Sequence, residues 1–128
     1  MIQDLNYQKI SKPHEKNNDD YASVSILIHD EKEIIFIKRS EDLPTHKGHI
    51  AFPGGKKEVE DQSIVDTAVR EACEELLIDS KTITPIGILK SIDTVEYKFE
   101  VYPVVCLISD KPSSFNKSEV QDLSLIHI

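Results

Sequence analysis

GHIAFPGGKKEVEDQSIVDTAVREACEELLID, residues 48–79, sets a bend directly in front of a helix, and the fold is read from it. Ser63 with Asp66 three residues on is a capping-box pattern before an apolar run, so the spacing predicts a helix starting there. At about 100° per residue, Val65, Ala68, Val69, Ala72, Cys73 and Leu76 gather on one side. Glu71, Glu74 and Glu75 fall within roughly a 100° arc on the other. The helix is expected to bury one face and hold three carboxylates on the opposite one.

Three glutamates on a helix face ordinarily do no more than solvate it. Two features point further. Like charges at i,i+3 and i,i+4 repel by about 0.2–0.5 kcal/mol per pair, and Arg70 alone is at hand to offset them. Directly upstream, Phe52-Pro53-Gly54-Gly55 is a rigid bend followed by a glycine pair that allows unusual backbone angles and close approach. A tight glycine loop delivered to a carboxylate-lined helix makes an oxygen-rich pocket suited to Mg²⁺ or Mn²⁺, hard cations that take carboxylates, backbone carbonyls and water.

The segment resembles the signature of the Nudix hydrolases, Gly-x5-Glu-x7-Arg-Glu-aliphatic-x-Glu-Glu-x-Gly-aliphatic. Gly55 begins it, and Asp61 stands after five residues where Glu is usual. Eight residues follow instead of seven, then Arg70-Glu71-Ala72-Cys73-Glu74-Glu75, with Leu76 read at the usual glycine place and Leu77 as the aliphatic. The spacing is similar to that of the coenzyme A pyrophosphatase-like branch. That branch also carries an upstream Arg-Ser-x-x-Leu-x-x-His-x-Gly-x-x-x-Phe-Pro-Gly-Gly motif, matched here by Arg39-Ser40, Leu43, His46, Gly48 and Phe52 to Gly55. Pro44 stands where the branch usually has a basic residue, and Ile37 where it often has Thr.

The resemblance implies roles residue by residue. Glu74 and Glu75 are expected to ligate the metal, with the Gly55 carbonyl as a backbone ligand. Glu71 either completes the shell or accepts the proton of the attacking water. Arg70 is expected to orient Glu74 or Glu71 by a charge-assisted hydrogen bond. Asp61 is read as a helix cap, the alternative being a place behind the metal ligands. Arg39, His46, Lys47 and Gly54 are the candidates for holding substrate phosphates, and Glu119 lies where some relatives place an extra acid on a late loop. The activity implied is metal-dependent hydrolysis of the diphosphate of coenzyme A or an acyl derivative, giving 3′,5′-ADP and 4′-phosphopantetheine. The alternatives are another nucleoside diphosphate derivative, such as ADP-ribose or a dinucleotide, and a non-catalytic nucleotide-binding module.

Outward from this centre, 128 residues make room for one domain with a real core. With 39% hydrophobic and 30% charged residues the composition is that of an ordinary globule, and there is no apolar run that would span a membrane. A net charge of −8 argues against a general nucleic-acid binder. The charge is segregated: from Lys38 to Lys57 five Lys or Arg stand against two acids, and from Glu58 to Ser80 eight acids stand against Arg70. A basic patch beside an acidic one suits a small polyphosphate ligand. The two cysteines read as buried thiols of a reducing compartment, and the cytoplasm is expected. A monomer or homodimer is anticipated.

Residues 1–20 are read as a polar lead-in and 21–128 as the domain, its C-terminal end incomplete if the branch's usual closing strand and helix are the standard. Strands are predicted at Ala22–Ile28, Glu33–Lys38, His49–Phe52, Ile83–Leu89 and Phe99–Ile108. Pro103 is assigned to an edge or a bulge. Ser91 to Tyr97 is assigned to a loop, in which Tyr97 is a candidate to stack on an adenine ring, and Ser118 to Gln121 to a short turn. The fold class is α+β. The resemblance implies the Nudix-type α/β/α sandwich with a mixed β-sheet.

Overall fold

The computed structural model describes residues 7–9, 20–41, 48–93 and 100–127. His46 and Lys47, with Leu43 and Pro44, lie outside the described residues, as does Tyr97. The chain runs β1 (Tyr7–Lys9), β2 (Tyr21–His29), β3 (Glu33–Arg39), β4 (Ile50–Ala51), β5 (Gly54–Lys56) and α1 (Ile64–Leu76). A 3-10 turn at Ser80–Thr82 follows, then β6 (Ile83–Leu89), β7 (Ile92–Asp93), β8 (Glu100–Ile108) and β9 (Val120–His127).

All the strands join one mixed sheet. At its centre β2 and β8 pair in parallel, from Tyr21↔Glu100 to His29↔Ile108. β3 folds back antiparallel on β2 through a tight turn whose Asp30 and Glu31 both have positive φ. β9 flanks β3, and β6 then β1 extend the sheet beyond β8. Where β2 and β3 part, β4 and β5 fill the gap, Ala51 pairing Ile37 and Gly55 pairing Ser23. This insertion brings the glycine bend beside the helix.

α1 lies on one face of the sheet. Ser63 caps it, its hydroxyl accepting the Asp66 N–H at 3.1 Å. Ile64, Ala68, Ala72 and Leu76 pack with Leu27, Ile35, Ile37, Val104, Cys106 and Val120. The approach is close because β2 presents serines there. The Ser23 hydroxyl donates to the Ile64 carbonyl and that of Ser25 to the Ala68 carbonyl, and both serines are fully buried. On the opposite face Ile26, Ile28 and Val105 pack with Ile34, Phe52, Ile86, Leu89 and Leu107. Among the described residues α1 is the one α-helix, so the second helical layer of a sandwich is not among them.

Three readings are corrected. Pro103 is neither at an edge nor in a bulge: it pairs Val24 in the central strand. It is tolerated because the partner on its other side changes there, from Ile88↔Val104 in β6 to Ile92↔Val101 in β7. The bulge falls instead between Pro85 and Gly87. The glycine place of the signature is Leu77, not Leu76. Leu77 closes α1 in the left-handed conformation (φ 53°, ψ 48°) that glycine adopts without strain. The carboxylates, finally, do not share an exposed face, since Glu75 is buried with Thr67 on the flank of the helix.

Candidate functional site

The helix, the glycine bend and the turn before β9 meet at three carboxylates. Glu71, Glu75 and Glu119 each offer a carboxylate oxygen, and these oxygens lie within 4.8 Å of one another. Glu71 and Glu75 come from successive turns of α1, and Glu119 from the opposite wall. Its backbone carbonyl accepts the Ser40 N–H at 2.9 Å, which anchors it to the end of β3. The Asn116 side chain accepts from both the backbone and the hydroxyl of Ser118, closing the turn that delivers Glu119.

The glycine pair allows this convergence. A Cβ on Gly55 would collide with the Glu71 carboxylate, and one on Gly54 with the backbone of Ser23 and Val24. The Gly54 N–H donates to Glu75 Oε2 at 3.1 Å. Gly54 is thus accounted for by β2 and Glu75.

Burial dominates the electrostatics. Withdrawal from water pushes the Glu71 carboxyl up to about 7; Arg70 opposes this, while Glu74 and Glu119 add to it. Glu75 is pushed up to about 8 by burial and by Glu71 and Glu119, against the pull of the Gly54 N–H and Arg39. Crowded carboxylates with too little counter-charge could hold a hard divalent cation. Arg39, at the end of β3, is near enough to act on Glu75.

Glu74 is not brought into this cluster. Its side chain is 49% exposed and pairs with Arg70 at 3.2 Å. Arg70 spends its fork on Asp61, Nε to Oδ1 at 2.9 Å and Nη2 to Oδ2 at 3.0 Å, and lies 3.6 Å from Glu71. Asp61 therefore does not cap the helix, contrary to the sequence reading, because Ser63 does. Burial pushes Asp61 up, but Arg70, the Glu58 N–H and the Thr67 hydroxyl outweigh it and hold its carboxyl below the usual range. The shorter acid and the extra residue of the signature meet in this one contact. Glu119 is the member that α1 gives no hint of; its sequence signal is the resemblance, in which some relatives place an extra acid on a late loop.

A mixed sheet with one acidic helix facing a diglycine bend and a third acid on a late turn defines a domain built around a carboxylate cluster. The NUDIX domain family matches residues 20–126, and the chain belongs to the Nudix family. It is 40% identical over 101 residues to a Nudix hydrolase NudL of Pectobacterium atrosepticum, covering 78% of this chain and 52% of that protein. The chain thus spans about half the length of the relatives it matches. The fold is similar to that of the MutT protein from Methanosarcina mazei Go1, with a TM-score of 0.65 at 22% identity over 90% of this chain and 78% of that one. It is likewise similar to a C. elegans Ap4A hydrolase, with a TM-score of 0.65 at 17% identity over 81% and 77%. Among the described residues no helix is long and apolar enough to cross a membrane.

Proposed function

We propose that this chain carries the active site of a metal-dependent pyrophosphohydrolase whose substrate is coenzyme A or an acyl-coenzyme A. The convergence of Glu71, Glu75 and Glu119 carries the reading, because one buried and two part-buried carboxylates gathered with little counter-charge suit a cation. These residues would hold Mg²⁺ or Mn²⁺, which neutralises phosphate charge and makes a bound water acidic. The Gly55 carbonyl and Glu74 are further candidates, Glu74 being open to solvent on one side.

The chain's own residues supply the rest. Glu71, its side chain 14% exposed, would either complete the metal shell or accept a proton from water entering the site. The Gly54 N–H fixes the Glu75 carboxylate. Arg39 brings positive charge for phosphate oxygens, and His46 and Lys47 are proposed beside it from the sequence motif. Beyond the Ser40–Glu119 hydrogen bond lies a cavity of about 360 Å³ lined by Ser40, Glu41, Phe115, Lys117, Val120 and Gln121, which offers room for an organic arm of the substrate. Cys73 and Cys106 are free thiols, which supports a reducing compartment such as the cytoplasm.

Pro44 and Ile37 depart from the coenzyme A motif, and they favour a second reading, another nucleoside diphosphate such as ADP-ribose or a dinucleotide. Incubation of the protein with Mn²⁺ and each of coenzyme A, ADP-ribose and diadenosine tetraphosphate, beside a Glu75→Gln control, separates the readings. Coenzyme A giving the highest kcat/KM supports the first and another substrate the second. Equal release by wild type and control overturns both.

A further inference from the structure

Next to the carboxylate cluster runs a buried chain of hydrogen bonds that the proposed chemistry does not use. Tyr21 stands at the start of β2 and is 5% exposed; Thr67 in α1 is fully buried; Asp61, before the helix, is 3% exposed. The Thr67 hydroxyl donates to Asp61 Oδ2 at 2.9 Å, in preference to the Ser63 carbonyl one turn back at 3.3 Å. Its single proton is then committed, so the Tyr21 hydroxyl, 3.2 Å from Thr67 Oγ1, is the donor of that bond. The same Asp61 oxygen accepts the Glu58 N–H at 2.9 Å and Arg70 Nη2 at 3.0 Å. Arg70 also donates to the Lys56 carbonyl at 3.1 Å, which ties it to β5.

Tyr21 is itself held from three sides. Its ring meets Tyr102 edge-on at 6.0 Å, the Lys57 ammonium lies 5.7 Å over its face, and its carbonyl accepts the Lys57 N–H at 2.9 Å. Burying hydroxyls is costly unless each has a partner with a fixed place. Here the partners form one line from the first residue of the central strand to the guanidinium lying between Glu71 and Glu74.

We propose that Tyr21 and Thr67 are positioning residues: they fix the Asp61 carboxylate, which fixes the Arg70 fork and so sets where Arg70 stands against the Glu71 and Glu74 carboxylates. The inference rests on the proposed hydrolase site for its catalytic consequence, and on the described geometry alone for its structural one. The Thr67 hydroxyl matters here for its proton and not for its volume. Valine removes it at nearly constant shape, and serine restores it.

The test uses Tyr21→Phe, Thr67→Val and Thr67→Ser in the full chain, with two readouts. The first is the Nε–Hε signal of Arg70 by ¹⁵N NMR without metal, which requires no activity. Thr67→Val is expected to shift or broaden that signal and Tyr21→Phe to move it less, while Thr67→Ser leaves it at the wild-type position. The second is steady-state kinetics with the substrate the wild type prefers. Thr67→Val is expected to lower kcat by about 10-fold or more with KM within about twofold, and Thr67→Ser to recover most of it. An Arg70 signal that Thr67→Val leaves unmoved, or a Thr67→Ser protein as impaired as Thr67→Val, overturns the proposal. A wild type that hydrolyses no diphosphate removes the hydrolase reading, and the Arg70 signal still decides the positioning chain.

Discussion

Asn116 donates its backbone N–H to the carbonyl oxygen of Glu75 at 2.8 Å. This bond joins the turn that carries Glu119 to the last turn of α1, using a carbonyl that the helix end leaves without an intrahelical partner. The two walls of the carboxylate cluster are thereby one unit. Replacing Asn116 by Ala keeps that bond and loses the side-chain contacts to Ser118. Glu119 should then wander, with Mn²⁺ affinity falling by about 10-fold and stability by about 1 kcal/mol. Titration calorimetry and urea unfolding check the two figures.

The raised carboxyls of Glu71 and Glu75 make the metal-free fold sensitive to base. Each binds its proton more tightly in the folded chain than in the unfolded one, whose carboxyls titrate near the ordinary 4.5. The folded state then holds more protons, so stability falls as pH rises above 4.5 and levels off past about 8. Metal binding requires the deprotonated groups, so affinity should climb over the same interval. The melting temperature at pH 5.5 and 8.5, with and without Mn²⁺, is the measurement. The metal-free protein should melt lower at pH 8.5, and saturating Mn²⁺ should remove the difference.

Glu75→Gln separates stability from function. The amide oxygen still accepts the Gly54 N–H, and a crowded charge is gone. Metal-free melting at pH 8 is expected to rise by about 3–6 °C while Mn²⁺ binding is lost. A lower melting temperature would show that the carboxylates are not in conflict.

Leu77 ends α1 in the left-handed region and is 58% exposed. Leu77→Gly should stabilise the chain by about 1 kcal/mol, because the left-handed backbone costs a non-glycine residue about 1–2 kcal/mol and little packing is lost. The midpoint of urea unfolding reads it directly.

Asp61→Ala leaves the Arg70 fork without its partner, and a broken buried pair costs about 3–5 kcal/mol. The side chain of Arg70 is 21% exposed against 4% for Asp61, so the lower end of that range is expected. Denaturant unfolding beside Glu58→Ala, whose side chain is 55% exposed and which should cost little, makes the comparison.

The glycine bend, the capped helix and the strand at Ile83–Leu89 were legible because each depends on local chemistry: proline and glycine torsions, a serine cap and alternation. The facing of the serines was not. Ser23 and Ser25 bond helix carbonyls, and only the packing of α1 on β2 reveals this. Glu74 and Glu119 make the same point for the site. On a helical wheel Glu74 sits beside Glu71 and Glu75, but Arg70 draws it outward. Glu119 completes the cluster from 44 residues beyond Glu75, a distance along the chain that periodicity cannot bridge.

The central claim is that Glu71, Glu75 and Glu119 together hold a divalent cation. An anomalous difference map from a crystal grown with Mn²⁺ tests it most directly. The account predicts a single strong peak within about 2.0–2.4 Å of oxygens from Glu71 and Glu75, with Glu119 bound directly or through one water. Saturating Mn²⁺ with no peak at these carboxylates, or a peak held by Glu74 and Asp61 alone, would contradict it.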